Sequence, residues 1–268
     1  MNRSRLLAIW VAGVVLLSGC AQNRYTRPTA EHYFEDAQKS LSKNDCWQAQ
    51  KLFRNLLSDY PGSHLVDDAQ YGLGMASFCA KDYVTSAFEF ERLLNEFPTS
   101  PWVDEARYQI GMCFYTASLD IHHDQDDTRK AVREFRRFIE DFPNSDLVAE
   151  TQDRIEELNR KTGEKQLMIA QSYFRWGNYI SAVKYCEIIL DEHNHTDLIR
   201  SAWFILAQSK ARMGEYDEAM SVLARLAADE GAPGNLKKKV IEATEKLQEV
   251  MAKRPEEAVT TPQAEEGE

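Results

Sequence analysis

Apolar residues recur at helical spacing in five similar segments along this chain. Each segment opens with a small residue, followed by a bulky apolar residue or cysteine four positions later and by apolar residues at seven and eight. This spacing places the side chains on one face of a helix. In the first three segments an aromatic-proline pair then ends the helix, because proline lacks the backbone N–H that a helix interior needs. The segments begin at Ala49, Ser86, Ala131, Ala182 and Ala219.

A second helical pattern precedes each segment and carries a small residue in its middle. Glycine within a helix costs up to about 1 kcal/mol relative to alanine, so its recurrence needs a packing reason. Close approach of the paired helix supplies that reason. The small residues are Ala37, Gly74, Gly111, Ala170 and Ala207. The sequence therefore predicts five helical hairpins stacked as a repeat.

The predicted fold is all-α, and the repeats divide into two groups. Residues 30–146 hold units one to three, and the third unit contains a polar insert near residues 121–128. Residues 147–253 hold a linking helix near residues 147–160, units four and five, and a helix that caps the stack. Residues 254–268 contain five Glu and no aromatic residue, so we expect a disordered acidic tail.

The N-terminus has the features of a signal segment. Two arginines precede an uncharged run over residues 6–17, which as a helix reaches only about 18 Å and is too short to cross a membrane. Leu17-Ser18-Gly19-Cys20 follows, and it resembles the bacterial lipobox. The resemblance implies a signal peptide over residues 1–19, lipidation of Cys20 and a tether over residues 20–29. The alternative is an ordinary signal peptide with a chance cysteine.

Charge and motif content exclude several function classes. The 43 acidic and 32 basic residues give a net charge of −11, which opposes binding to nucleic-acid phosphates. Serine-hydrolase, zinc-protease, P-loop and CxxC motifs are absent from the sequence. The His and Asp residues at 122–127 match no closed ligand set, so we interpret them as a solvated loop. We therefore expect a protein without catalytic residues, metal or cofactor.

The hairpins resemble the tetratricopeptide repeat, in which the first helices line a concave groove. This resemblance implies that the residues three before and four after each small residue face the groove. We expect the aromatic residues there to bind an extended or helical peptide. In units one to three they are Phe34, Tyr71, Phe78, Tyr108 and Tyr115, with Arg107 near them to meet a carboxylate. The corresponding positions of units four and five include Phe174 and Phe204. For any one of these rings, packing between adjacent helices is the alternative.

Four cysteines remain in an oxidising compartment if Cys20 carries lipid. In an antiparallel stack, the start of one unit's second helix lies beside the end of the next unit's first helix. Cys46 and Cys79 occupy those two places, and we predict a disulfide between them. Cys113 and Cys186 fit better as small buried apolar residues.

The order of these features resembles the BamD family of outer-membrane assembly lipoproteins. The similar features are the lipobox, five repeats, Arg129-Lys130-Ala131 after the insert, Phe142-Pro143-Asn144-Ser145, and Gly177-Asn178-Tyr179. The resemblance implies a scaffold without enzymatic activity, anchored in the outer membrane and facing the periplasm. Ala21 after the lipidated cysteine also favours the outer membrane.

The same resemblance implies three kinds of partner. These are the POTRA domains of a BamA-type insertase, other lipoproteins of the assembly complex, and unfolded β-barrel precursors bound at the N-terminal repeats. The chain departs from the family in lacking the proline that ends units four and five and in its acidic tail. The family's basic positions for the insertase contact fall on Tyr185 and Asp191, which are not basic.

Two other functions fit the same sequence. One is a scaffold for another envelope machine, such as a pilotin for a secretin or a protein that coordinates wall synthesis with the outer membrane. The other is a docking subunit of a periplasmic enzyme. The proteins recovered in a crosslinked pull-down separate these possibilities.

Overall fold

The computed structural model describes residues 27–193 and 197–253, and all regular structure within them is helical. This confirms the predicted all-α fold of tetratricopeptide type. The predicted signal peptide, Cys20 and the acidic tail over residues 254–268 lie outside the described residues. The helices are α1 (Ala30–Ser42), α2 (Cys46–Asp59), α3 (Val66–Cys79), α4 (Tyr83–Glu96), α5 (Val103–Ala117), α6 (Asp126–Asp141), α7 (Val148–Arg175), α8 (Tyr179–Glu192), α9 (Leu198–Met213), α10 (Tyr216–Ala227) and α11 (Gly234–Ala252).

The second helices of units one, two and four begin with the same turn. A residue in the left-handed region comes first, at Asn44 (φ 58°), Lys81 (φ 61°) and Gly177 (φ 78°). The next residue is Asp or Asn, and its side chain accepts a hydrogen bond from the backbone N–H three residues later. This cap satisfies one of the donors that a helix start leaves without an intrahelical partner. The short turn therefore follows from local sequence in each unit.

The chain divides into two compact parts, which we describe separately: an N-terminal part ending at Ala80 and a C-terminal part beginning at Lys81. In the N-terminal part, α2 packs against both α1 and α3. Its core contains the fully or almost fully buried side chains of Ala37, Phe53 and Leu73. The described residues before α1 also join this part, because the Tyr60 hydroxyl donates to the Pro28 carbonyl oxygen at 2.7 Å.

The C-terminal part differs from the division that the sequence suggested. Instead of a separate linking helix near residues 147–160, the single helix α7 runs for 28 residues from Val148 to Arg175. Its first half packs on α6 and its second half serves as the first helix of unit four, against α8. The expected boundary between residues 146 and 147 is also not where the compact parts divide, because side chains of α5 and α7 are joined across it.

Gly163 lies in the middle of α7 without interrupting it. A Cβ atom at this position would lie 2.8 Å from Leu198 Cδ1 and 3.2 Å from His193 Cγ. The helix therefore needs glycine there to let these neighbouring side chains approach. Close packing on both sides offsets the low helix propensity of glycine.

Gly111 in α5 provides a test of this kind of packing. A Cβ atom there would lie 2.4 Å from Cδ1 of Phe135, whose side chain is completely buried. We expect Gly111→Ala to lower the free energy of unfolding by about 1–3 kcal/mol, as overpacking does. Urea denaturation measures the change.

Gly234→Ala is the matched control, because a Cβ atom at the start of α11 would meet nothing within 4 Å. Alanine favours helix over glycine, so we expect no loss of stability at this position. An unchanged Gly111→Ala variant, or an equal loss at both sites, contradicts the packing account.

Candidate functional site

Three of the predicted groove residues lie in the N-terminal part. Phe34 on α1, and Tyr71 and Phe78 on α3, are half-buried. The ring of Phe34 meets that of Phe53 edge to face at 5.9 Å. Tyr71 and Phe78 are seven residues apart and so share one face of α3. This part thus presents aromatic side chains that are partly open and fixed by the packing beneath them.

A disulfide joins the start of α2 to the end of α3 in the same part. The structure bonds Cys46 to Cys79, with their Cα atoms 5.6 Å apart. Beneath it, Gln50 Nε2 donates to Ser77 Oγ at 3.2 Å, and both of these residues are buried. Together these links hold α2 against the helix that carries Tyr71 and Phe78.

Tyr108 is part of the core rather than a groove wall. Only 5% of it is exposed, and its ring centroid lies 5.8 Å from those of Phe135 and Phe138. Its hydroxyl donates to Glu150 Oε1 of α7 at 2.9 Å. Burial, helped by this hydrogen bond to a carboxylate, raises the pKa of Tyr108 to about 12. Packing between helices, the alternative for these rings, is what the structure shows for Tyr108.

Tyr115 remains partly exposed, but α7 also holds it. Its hydroxyl donates to Glu157 Oε2 at 2.7 Å and accepts from Arg154 Nη1 at 2.9 Å. The Arg154 guanidinium lies over the same ring, 4.8 Å from its centroid. Arg107 forms an ion pair with Asp141, Nε to Oδ2 at 3.1 Å, so a carboxylate of the chain itself already meets this cation. Side chains of α7 therefore hold both Tyr108 and Tyr115 of unit three.

An open pocket lies on the inner side of units four and five. It has a volume of ≈ 350 Å³. Its apolar side chains include Phe174 and Phe204, which the repeat pattern had placed on the inner wall. Two cations, Arg175 and Lys239, line it together with polar residues. The remaining lining residues are Gln171, Ser201, Ile205, Gln208 and Leu236. We call this the C-terminal pocket.

The repeat pattern does not point to Arg175 or Lys239, for two reasons. Arg175 is one position beyond the inner-wall residue Phe174 and ends α7, and the repeat pattern assigns no role to that place. Lys239 belongs to α11, which follows the last repeat and matches none of the repeat positions. A count of charges along α11 offered a signal, because three consecutive lysines occur at residues 237–239.

A second apolar surface surrounds the turn between α7 and α8. Trp176 is 76% exposed and Ile180 is 72% exposed. Tyr173 meets Trp176 edge to face at 5.9 Å and stacks on Tyr185 at 5.6 Å. We call these four residues the turn patch. Exposed tryptophan supported by other aromatic rings is typical of protein-binding surfaces.

The polar insert forms a loop only up to Gln125, and its last residues, from Asp126, are already part of α6 rather than of the expected loop. Gln125 is buried, and its Nε2 donates to the carbonyl oxygens of Asp120 and His123 at 2.8 and 3.1 Å. His123 Nδ1 lies 3.1 Å from Asp120 Oδ1. Lys165 of α7 donates to the His123 carbonyl oxygen at 3.3 Å. Within the described residues, no cluster of three or more His, Cys, Asp or Glu is arranged to hold a metal ion. Over the same ranges, no helix is both long and apolar enough to cross a bilayer.

Comparison with known proteins gives one family and two curated relatives. Residues 27–226 match the YfiO family, described as an outer membrane lipoprotein. A Rickettsia prowazekii (strain Madrid E) protein named "Outer membrane protein assembly factor BamD" is 26% identical over 224 residues, which are 82% of this chain and 88% of the relative. A Caulobacter vibrioides protein of the same name is 21% identical over 222 residues, which are 79% of this chain and 72% of the relative.

Solved structures with tetratricopeptide repeats are also similar, at low scores. A yeast Sti1 TPR2AB-domain complex with pHSP90 matches with a TM-score of 0.45 and 12% identity, covering 83% of this chain and 86% of that one. A thermophilic TPR protein of Thermus thermophilus matches with a TM-score of 0.32 and 14% identity, covering 80% and 98%. At these scores neither structure bears on the candidate site.

The burial of each cysteine predicts how it reacts with iodoacetamide. Burial raises the pKa of Cys113 to about 11 and that of Cys186 to about 12, so both thiols stay protonated and unreactive in the folded chain. We expect iodoacetamide at pH 8 to label neither of them until the protein is unfolded. Cys46 and Cys79 are partly exposed, so a reductant should make both available without unfolding. Mass spectrometry of the labelled peptides measures each site.

Removal of the disulfide has a second expected result. A Cys46→Ser, Cys79→Ser double variant should lose roughly 2–4 kcal/mol of stability by the loss of a cross-link across the sequence separation of 33 residues. Labelling of both cysteines in unreduced protein from the native envelope would show that the bond does not form.

Proposed function

The chain belongs to the YfiO family of outer membrane lipoproteins, and from that premise we propose that it is a non-catalytic scaffold for the assembly of outer-membrane proteins. A lipid on Cys20 would hold it in the outer membrane, facing the periplasm. The observation that carries the proposal is the match over residues 27–226, which extends from before α1 into the last hairpin. Both curated relatives are named as assembly factors, which supports the same role.

We assign client binding to the N-terminal part. Unfolded β-barrel precursors are extended chains, and half-buried aromatic side chains bind extended peptides with little loss of side-chain entropy. Phe34, Tyr71 and Phe78 offer such a surface, and the disulfide makes its support rigid. Tyr108 is left out of this site because it is buried in the core. Arg107 is left out because it forms an ion pair with Asp141. Tyr115 is left out because Arg154 covers its ring.

We assign partner docking to the turn patch of the C-terminal part. The partners implied by the family are the POTRA domains of a BamA-type insertase and other lipoproteins of the assembly complex. Trp176 and Ile180 expose large apolar areas that water solvates poorly, and burial of such side chains supplies much of the binding energy in protein interfaces. The stacked ring of Tyr185 supports this surface at a place where the family has a basic residue. We therefore expect the turn patch to bind its partner through an apolar contact at a place where the family has an electrostatic contact.

A crosslinked pull-down with the full-length chain tests the proposed function. We expect the β-barrel insertase among the recovered proteins. We also expect Trp176→Ala to lower its yield at least tenfold, since a central tryptophan contributes about 2 kcal/mol or more.

Trp47→Ala is the matched control, because Trp47 is 73% exposed but lies on α2 of the N-terminal part. We expect its insertase yield to equal that of the unaltered chain. Equal losses in both variants contradict the assignment of docking to the turn patch. Recovery of a secretin, wall synthases or a periplasmic enzyme in place of the insertase contradicts the proposed function itself.

A further inference from the structure

The C-terminal pocket has a charge unlike that of the chain around it. The whole chain carries a net charge of −11, yet the lining includes two cations and no carboxylate. Neither Arg175 nor Lys239 forms an ion pair with any carboxylate among residues 27–193 and 197–253. Arg175 donates to the neighbouring Ser172 hydroxyl at 3.3 Å. A pocket lined by apolar side chains and two cations suits a peptide that carries carboxylates beside small apolar side chains.

One face of α11 leads from the pocket toward the end of the described chain. Lys239 and Lys246 are seven residues apart, and Val250 follows four residues later, so all three share that face. Glu242, three residues after Lys239 and four before Lys246, lies on it as well. Both lysines and Glu242 are exposed, and 47% of Val250 is exposed. The face therefore carries two cations and one carboxylate, and the positive charge at the pocket itself comes from Lys239 and Arg175.

The chain itself contains an anionic segment of suitable length. Residues 254–268 follow α11 directly and contain five Glu against one Arg. Lys239 lies about 20 Å back along the helix from Ala252, at 1.5 Å per residue. An extended chain covers about 3.3 Å per residue, so a stretch of about six residues is long enough to span that distance.

We propose that the C-terminal pocket is a binding site for an acidic peptide, and that in the isolated protein its occupant is the chain's own tail, residues 254–268. The glutamates of the tail offer carboxylates to Lys239 and Arg175. Its Ala258-Val259 pair offers small apolar side chains to Phe174 and Phe204. Attachment to α11 gives the tail a millimolar effective concentration, so even a weak site is mostly filled. An acidic segment of another protein then has to displace it.

The test is the binding of a fluorescent synthetic peptide with the sequence of residues 254–268, followed by fluorescence anisotropy. It compares the full chain with the same chain ended at Lys253. We expect the peptide to bind the shortened chain and to bind the full chain roughly tenfold more weakly, because the attached tail competes. Added salt should weaken binding to the shortened chain.

Two variants of the shortened chain locate the site. Lys239→Glu reverses a charge at the pocket and should weaken peptide binding roughly tenfold. Lys238→Glu makes the same change of charge on a residue about 100° around the helix, outside the lining, and should leave affinity within about twofold. Both side chains are exposed, so neither change disturbs the core.

Three results would overturn the proposal. Equal affinity for the full and shortened chains would show that the tail does not occupy the site. Equal weakening by the two lysine variants would show a general attraction to a basic surface rather than binding in the pocket. Absence of binding to the shortened chain would leave the pocket without this occupant.

Discussion

The contacts between α5 and α7 determine what the C-terminal part can offer to partners. Two tyrosines of α5, at positions 108 and 115, direct their hydroxyls to Glu150 and Glu157 of α7. The Arg154 guanidinium between those carboxylates covers the second ring. Because α7 continues unbroken into unit four, one helix both holds the two tyrosines of unit three and supplies the first helix of the next unit. Open apolar surface is therefore left farther along the chain, at the C-terminal pocket and the turn patch.

Repetition explains how much of the fold could be predicted from the sequence. Side-chain spacing within each hairpin is a local property of the sequence. The small residue of the first helix and the apolar residues of the second were therefore sufficient to predict the hairpin. The cysteine pair was predictable for the same reason, because Cys46 begins the second helix of unit one and Cys79 ends the first helix of unit two, and these helix ends are neighbours in an antiparallel stack. The unbroken course of α7 was not, because Gly163 is usually a sign of interruption. The helix accommodates Gly163 because Leu198 and His193, which are distant in the chain, pack closely against it.

Position in the repeat also explains why only some of the predicted groove residues are accessible in the structure. Position in the repeat placed Phe34, Phe174 and Phe204 on inner faces, but it carries no information about what covers those faces. Tyr108 is buried against Phe135 and Phe138 of its own unit, and its hydroxyl donates to Glu150, in the first half of α7, which the repeat pattern does not include. Conversely, the pocket's second cation comes from α11, and the exposed ring of Trp176 lies in a turn. Nonrepeating segments thus decide which repeated positions remain accessible.

The C-terminal pocket and the turn patch both depend on α7 being a single stiff helix across Gly163. Electron paramagnetic resonance between spin labels at exposed positions 152 and 171 measures this directly, since 19 residues of continuous helix separate the two Cα atoms by about 28 Å. The account predicts one narrow distance distribution near that value, allowing for the length of the labels. A broad distribution, or one centred well below 20 Å, would show a break at Gly163 and contradict it.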